Sequence, residues 1–234
     1  MPHDSSIPTA VDIWPMWAEL TTENHHIPAI PSGKIWNILN PSYIDGLKNQ
    51  LSTLLEELGE RIPVDVDHTI SFDTSNGIIH IAEGALISPG TRFEGPCFIG
   101  EGVEIRHGAY VRAWSWVCKD SVIGHASEIK HSLLLPGSKA PHFNYVGDSI
   151  LGFGVNLGAG CKLANFRHDG LEVNVRHQNT KTPSGIRKFG ALLGDGCQLG
   201  CNTVTNPGTI LGINSYTNPN STIIGIHPAN SRHE

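Results

Sequence analysis

The chain has 234 residues, with 26 glycines, 15 prolines and a formal net charge of −6. Only 16% of its residues are charged and lysine and arginine form no cluster, which excludes a typical nucleic-acid-binding surface. No apolar run approaches the length of a membrane span, and the N-terminus lacks the basic start and apolar core of a signal peptide. We therefore expect a cytoplasmic protein, whose five cysteines are reduced thiols because they form no CxxC pair.

Residues 1–70 are predicted to form an N-terminal arm and an amphipathic helix. The first 40 residues are irregular and contain three tryptophans, Trp14, Trp17 and Trp36. The segment NPSYIDGLKNQLSTLLEELGER then predicts a helix, because Asn40 can cap it, Pro41 suits its first turn and leucines recur along one face. Since repeat domains need covered ends, we expect this helix to cap the following domain or to mediate an oligomer contact.

Residues 71–234 carry an internal repeat of six. An apolar residue occupies ten consecutive sixth positions from Ile81 to Leu135, and the period resumes at Leu151 and again at Leu193. A period of six fits neither a helix nor an alternating strand; it indicates a β-helix of hexapeptide repeats, with three short strands per coil. The sequence therefore predicts an all-β domain of about seven coils, stacked about 4.8 Å apart.

A polar segment, residues 165–188, interrupts the repeat. An excursion of this length is unusual in a compact repeat domain, where long loops are either functional or disordered. We predict a functional loop inserted into the β-helix.

Arg112 and Lys130 are 18 residues apart, so they should lie one above the other at one corner of the prism, about 5 Å apart. Stacked cations repel each other unless an anion lies between them. A phosphate would satisfy both cations, and pairing with Glu94, Glu128 or Asp148 is the equally weighted alternative.

Two further histidine positions call for interpretation. His107 and His125 are also 18 apart, a stacking that metal-dependent γ-class carbonic anhydrases would use, but the sequence lacks that family's pair of histidines five apart. We expect a surface role for this pair and no metal site. His142 follows Pro141 where the period breaks, and we expect the break to bulge it out of the wall as a base beside the anion site.

The segment KAPHFNYVGDSILGFGVNLGAG, residues 139–160, resembles the acetyltransferase domain of the bifunctional glucosamine-1-phosphate acetyltransferase/N-acetylglucosamine-1-phosphate uridyltransferase family. The resemblance extends over roughly residues 80–225. It implies a left-handed parallel β-helix, acetyl-CoA as co-substrate, no required metal and a homotrimer with active sites between chains. It also implies a place in UDP-N-acetylglucosamine biosynthesis.

Matching positions carry over the roles of the family's residues. The resemblance implies substrate contacts at Arg112, Lys130, Tyr145 and Asn165, catalysis by His142 with Asn156, and coenzyme contacts at Ala159, Lys188 and Cys201. Lys188 would close the site of a neighbouring chain. Three positions depart from the family: Phe166 replaces a tyrosine, Cys201 a serine, and Pro219 an alanine whose N–H contacts the coenzyme, a contact that proline cannot make.

The predicted function is that of an acetyl-CoA-dependent acyltransferase acting on an amino-sugar phosphate, with glucosamine 1-phosphate as the first candidate. No uridyltransferase activity is expected, since no glycine-rich nucleotide loop is present. The alternatives are an O- or N-acyltransferase for another sugar or sugar nucleotide, a non-catalytic assembly module or partner of a separate nucleotidyltransferase, and a γ-class hydratase.

Overall fold

The computed structural model describes residues 7–20 and 26–234. The part before the repeats contains two short helices, a 3-10 helix and one longer helix: Ala10–Ile13, Pro15–Leu20, Ile35–Leu39 and Leu47–Leu58. The long helix begins at Leu47, six residues later than predicted. Asn40 does not cap it, because its side-chain oxygen accepts a hydrogen bond from the Ser42 N–H (3.0 Å) and so stabilises a turn.

From Ser71 to His233 the chain forms three parallel sheets of eight strands each, here called face 1, face 2 and face 3. Face 1 comprises Ser71–Asp73, Arg92–Glu94, Tyr110–Val111, Glu128–Lys130, Tyr145–Gly147, Lys162–Leu163, Val204–Thr205 and Thr222–Ile223. Face 2 comprises Ile79–Ile81, Cys97–Ile99, Ser115–Val117, Leu133–Leu134, Ile150–Leu151, Ala191–Leu193, Thr209–Leu211 and Ile226–His227. Face 3 comprises Leu86–Ile87, Glu104–Ile105, Val122–His125, Lys139–His142, Asn156–Leu157, Gln198–Leu199, Tyr216–Thr217 and Arg232–His233. Successive strands lie on successive faces, so the sheets are the walls of a prism.

The interior of the prism is filled by one side chain from most of the short strands, usually apolar but a threonine at Thr205 and Thr217. Ile99, Ile105 and Val111, for example, come from three consecutive faces and are 0% exposed. The predicted all-β solenoid is confirmed. Each face has eight strands in the described residues, one more than the predicted number of coils, because strands also form before Ile81 and after Ile223.

The register of the repeat breaks at two places, and neither is at His142, where the period indicated a break. Between Ile81 and Leu163, the steps from Ile129 to Leu134 and from Val146 to Leu151 contain five residues instead of six. The inward side chain is therefore Leu134, and the prediction of Leu135 was wrong. Both short steps lie where the chain turns from face 1 to face 2, a position here called corner 1–2.

His142 is not bulged out by a register break, and that expectation was also wrong. It ends the regular strand Lys139–His142, where its backbone is in register with that of His125. Its side chain is exposed because it lies where face 3 turns into face 1, here called corner 3–1. The regular spacing from Ala140 to Val146 leaves no extra residue for a bulge.

The helix Leu47–Leu58 lies along face 2 rather than over an end of the prism, so the predicted end cap is corrected. It contacts the face 2 strands Ile79–Ile81 and Cys97–Ile99. Its buried leucines share a second apolar core with outward-facing residues of face 2 and with the arm's tryptophans. These outward residues are Phe98, Trp116, Leu133, Ile150, Leu192 and Ile210. An apolar outer surface on this face needs a cover, and the helix provides it.

The N-terminal end of the prism is covered by the segment that follows the helix. Ile62, Val66 and Ile70 pack against the interior cluster. The backbone of Arg61 pairs with that of His80, so this segment continues face 2 by one bridge. The exposed edge of the first coil is thereby shielded from water and from further strand pairing.

The inserted segment, residues 165–188, folds as a hairpin of Asn174–His177 and Thr180–Pro183. An antiparallel bridge between Phe166 and Lys188 closes its base. Val173, Val175 and Ile186 are buried in the second core, and the Trp36 indole N–H donates to the Ser184 carbonyl (3.1 Å). The insert is therefore an ordered part of the fold that packs against the N-terminal extension.

Asp195, which anchors the N-terminal arm, gives a prediction about pH. Its carboxylate accepts hydrogen bonds from the backbone N–H groups of Phe153 (2.9 Å) and Met16 (3.3 Å). Burial raises its pKa to about 6 despite these bonds. Because the pKa of Asp195 is higher in the folded state than in the unfolded state, its protonation stabilises the fold. This stabilisation is present below about pH 4 and is lost as the pH rises through about 6. We expect acidification from pH 7 to pH 4 to stabilise the wild type by about 2 kcal/mol relative to Asp195→Asn.

Urea unfolding of both proteins across this pH range measures the effect. Parallel profiles for the two proteins would contradict it. Comparing the two cancels the titration of the other groups, which they share.

No helix in the described part of the chain is long and apolar enough to cross a membrane. All five cysteines are free: Cys97, Cys118, Cys161 and Cys197 are buried, and Cys201 is exposed. Burial raises the pKa of the Cys97 thiol to about 12, as expected for an inert core thiol.

Candidate active site

Arg112 and Lys130 stack on face 1 as their spacing predicts, since Val111 and Ile129, which precede them, are paired in register. Arg112 donates from Nη1 to Glu128 Oε1 (2.8 Å), and its Nε lies 3.9 Å from Glu94 Oε2. The hydrogen bond to Glu128 raises the pKa of the guanidinium, with burial opposing it. The carboxylate pairing given as the alternative to a phosphate is therefore present.

Lys130 belongs to a separate, more deeply buried network at corner 1–2. Its Nζ lies 3.5 Å from Asp148 Oδ2. The other carboxylate oxygen of Asp148 lies 2.7 Å from Nδ1 of the buried His131, and the Asn165 amide also donates to Asp148. Burial alone would raise the pKa of Asp148, but His131, Lys130 and Asn165 together hold it below its ordinary value. The carboxylate is thus a fixed negative charge that orders three side chains.

Tyr145 connects the two networks. Its backbone pairs with those of Glu128 and Lys162, and its hydroxyl hydrogen-bonds with Asn165. Burial and the charges of Asp148 and Glu128 raise its pKa, so the hydroxyl stays protonated near neutral pH. It can therefore donate a hydrogen bond to an anionic ligand on face 1.

Three of the predicted residues form one column along corner 3–1. The His142 carbonyl accepts from the Gly160 N–H (2.9 Å), and the Ala159 carbonyl accepts from the Asn202 N–H (2.8 Å). These bonds place His142, Ala159 and Cys201 at equivalent positions of successive coils. A coenzyme extended along this corner could contact all three.

Asn156 lies apart from the other predicted residues. It begins the face 3 strand Asn156–Leu157 and is in register with Lys139 and Gln198. Within one chain the predicted residues therefore divide between corner 1–2, corner 3–1 and face 3. Corner 3–1 and corner 1–2 are separated by the width of face 1, about 16 Å for five extended residues.

Lys188 lines a pocket of its own chain, and its predicted role in the site of a neighbouring chain stays a prediction. It lines a pocket of about 550 Å³ at corner 1–2 together with Lys130 and Asp148. The bridge between Phe166 and Lys188 at the base of the insert positions it there.

Sequence reasoning missed three polar or aromatic residues of this pocket, Lys48, Trp114 and His131, and named Asp148 only as a possible partner of the stacked cations. Trp114, His131 and Asp148 all have positive φ, at 68°, 43° and 47°, a conformation that bulky residues rarely adopt. Such strain clusters at functional sites. The available signal was the five-residue spacing at this corner, while nothing in the sequence pattern indicates the approach of Lys48.

His107 and His125 stack at the surface of the prism, as predicted. The rings of His107 and His125 lie 5.5 Å apart and 11° from parallel. Their Nδ1 atoms hydrogen-bond to the carbonyls of Pro89 and His107, both at 2.7 Å. The described residues contain no group of three or more His, Cys, Asp or Glu side chains that could hold a metal ion.

No model of a protein family matches the chain. Over 178 residues, 75% of this chain, it is 36% identical to the bifunctional sugar-1-phosphate nucleotidylyltransferase/acetyltransferase of Sulfurisphaera tokodaii, 41% of which is covered. It is 32% identical over 176 residues, again 75% of this chain, to the bifunctional protein GlmU of Methanococcus aeolicus, 40% of which is covered. The chain thus spans about two fifths of the length of these curated relatives.

One solved structure that resembles the chain is the acetyltransferase domain of PglB from Neisseria gonorrhoeae in complex with acetyl coenzyme A. It is 11% identical, with 88% of this chain and 78% of that chain covered and a TM-score of 0.23. A likeness at this level supports no conclusion about function.

Proposed function

We propose that this chain, which belongs with the acetyltransferase part of the bifunctional sugar-1-phosphate nucleotidylyltransferase/acetyltransferase family, is an acetyl-CoA-dependent acyltransferase for an amino-sugar phosphate. The family resemblance predicted from residues 80–225 is thereby confirmed, whereas the activity and the acceptor are our proposal. One observation carries it: a single chain holds both a cationic cluster with a hydroxyl donor, at face 1 and corner 1–2, and a column of His142, Ala159 and Cys201 at corner 3–1.

The acceptor phosphate would bind at the cationic side of face 1. Lys130 is paired with Asp148 at 3.5 Å, longer than a strong charge-assisted bond. The buried Nε of Arg112 has no hydrogen-bond acceptor among the described residues, although Nη1 is paired with Glu128. Both cations therefore keep the capacity to bind a phosphate oxygen, and Tyr145 can add a hydroxyl donor.

The acceptor amine would attack the thioester carbonyl of acetyl-CoA at corner 3–1. A C–N bond forms, the C–S bond breaks, His142 takes the amine proton, and the CoA sulfur receives a proton as it leaves. Backbone N–H groups near Ala159 would stabilise the oxyanion, and Asn156 would orient the acetyl group. In this arrangement Cys201 would line the path of the coenzyme.

A homotrimer would resolve the separation of these groups. Within one chain the predicted residues lie on two corners and on face 3, so a neighbouring prism packed against corner 3–1 could bring a second set of side chains to His142. Analytical ultracentrifugation measures the assembly state. A monomer that retains full activity would exclude this arrangement.

An acyltransferase acting on a larger sugar is the second candidate. Phe166, which stands in place of the family's tyrosine, is 45% exposed and lines the corner 1–2 pocket. A phenyl ring offers an apolar stacking surface and no hydroxyl for a small sugar.

The test is CoA release from acetyl-CoA with glucosamine 1-phosphate and a panel of other sugar phosphates and sugar nucleotides. We expect release with glucosamine 1-phosphate and none with glucose 1-phosphate, which has no amine. Release only with sugar nucleotides would favour the second candidate. Wild-type protein that releases no CoA with any acceptor would refute the acyltransferase proposal.

A further inference from the structure

Three parts of the chain, the N-terminal extension, the prism and the insert, meet around the corner 1–2 pocket. The N-terminal extension contributes Lys48, the prism contributes Trp114 and Lys130, and the insert contributes Lys188. Neither the extension nor the insert belongs to the hexapeptide repeat. The pocket is therefore a feature that the prism alone could not form.

Positive charge exceeds negative charge among the described residues that line this pocket. Lys48, Lys130, Arg187 and Lys188 are cationic, and Asp148 is the carboxylate that faces them. Asp148 is already shared between side chains of the prism wall, including Lys130 at 3.5 Å. Like charges held together in a concave, partly desolvated site attract an anion.

Lys48 is held in position and is not a freely moving surface lysine. Its ammonium group lies 4.8 Å from the centre of the Trp114 ring, a cation–π contact. The helix that bears it is anchored by Leu47, Leu51 and Leu55, which are at most 2% exposed. Burial lowers the pKa of Lys48, as does repulsion from Lys130. A bound anion would relieve that repulsion.

His131 supplies an independent indication that a ligand is missing from this pocket. Its side chain is only 6% exposed and lines the pocket, and its Nδ1 lies 2.7 Å from Asp148 Oδ1. Its buried Nε2 has no hydrogen-bond partner within residues 7–20 and 26–234. A buried polar atom without a partner is costly, and a ligand hydroxyl or amine could supply the missing bond.

We propose that Lys48, contributed by the N-terminal extension, is a further phosphate-binding residue of the sugar-phosphate site that the proposed function places at Lys130, beside Lys188. The ligand class is a sugar phosphate, whose dianionic group meets the three lysines while a sugar hydroxyl meets His131 Nε2. The proposal rests on the proposed function only in taking this sugar phosphate to be the acceptor. Binding itself requires no acyl transfer.

Calorimetric titration of the full chain with glucosamine 1-phosphate, glucose 1-phosphate and inorganic phosphate tests the site without acetyl-CoA. We expect Lys48→Met to weaken binding of both sugar phosphates about tenfold or more, because a charge-assisted contact is lost. Methionine retains the length of the side chain and can still contact the Trp114 ring. Lys48→Arg should keep affinity within a few-fold, because arginine retains the charge and the stacking.

Lys34→Met is the matched control. Lys34 also lies over a tryptophan ring of the extension, 5.2 Å from the centre of Trp36, but does not line the pocket. Equal affinities for wild type and Lys48→Met would overturn the proposal, as would an equal loss in Lys34→Met or a wild type that binds none of the three probes. Lys48-dependent binding without CoA release would support the proposed binding site and refute the acyltransferase proposal.

Discussion

Replacing His142 by alanine is expected to lower the rate of CoA release at saturating substrates by about 10²–10⁴-fold, the usual contribution of a general base. Because the side chain is exposed at the end of its strand, its removal leaves no cavity and the melting temperature should stay within about 2 °C. Single-turnover and steady-state rates of CoA release measure the effect. The loss should appear in kcat more than in KM, because the base acts in the transition state.

His125→Ala is the matched control for this prediction. His125 lies one coil before His142 at the same corner and is paired with it in register. Its removal tests whether any histidine at corner 3–1 affects turnover. An unchanged rate in His142→Ala would refute the base assignment.

His131→Asn would then decide where the base lies. Asparagine tolerates the positive φ of this position but cannot accept a proton. A rate lost in this variant and kept in His142→Ala would transfer the role of base to His131, whose Nδ1 is held by Asp148.

Gly124→Ala is expected to destabilise the prism by about 3 kcal/mol or more, the upper range for overpacking. A Cβ on Gly124 would lie 1.6 Å from the carbonyl oxygen of Pro141 and 2.0 Å from its carbonyl carbon. Both atoms belong to the backbone of the neighbouring face 3 strand, Lys139–His142, so no side-chain rotation can relieve the clash. The melting temperature should fall by about 6 °C or more.

Gly154→Ala provides the control for backbone conformation. Gly154 has φ 62°, and nothing lies within 4 Å of a Cβ built on it. This variant should cost only the strain of a left-handed alanine, about 1–2 kcal/mol. Equal melting temperatures for the two variants would show that the close approach of Gly124 to the next coil is not a stability determinant.

The repeat of six was sufficient to predict the β-helix because its cause is local. Each inward residue, such as Ile105 or Val111, occupies the same environment in its own coil, so the requirement for an apolar side chain recurs in the sequence. The stacking of Arg112 over Lys130 followed from the same spacing. Neither inference needed knowledge of residues far away in the chain.

The register at corner 1–2 was not predicted correctly because two adjacent residues there are apolar, and either of them could be the inward residue of the repeat. Leu134 and Leu135 are both leucines, and both are fully buried, one in the prism and one in the second core. Hydrophobicity alone could not choose between them. Pairing of Leu134 with Val117 and Leu151 on face 2 decides the choice.

The sequence by itself determined the solenoid and the columns of residues spaced by a coil, since both depend on interactions between adjacent repeats, and it also located the insert as an interruption of the repeat and the family resemblance as a motif. Only the tertiary structure decided that the helix Leu47–Leu58 covers face 2, that Lys188 reaches Lys130 within one chain, and that Lys48 joins them. The reason is that these contacts join segments without a shared period. Their positions depend on how two apolar surfaces pack, which no local pattern encodes.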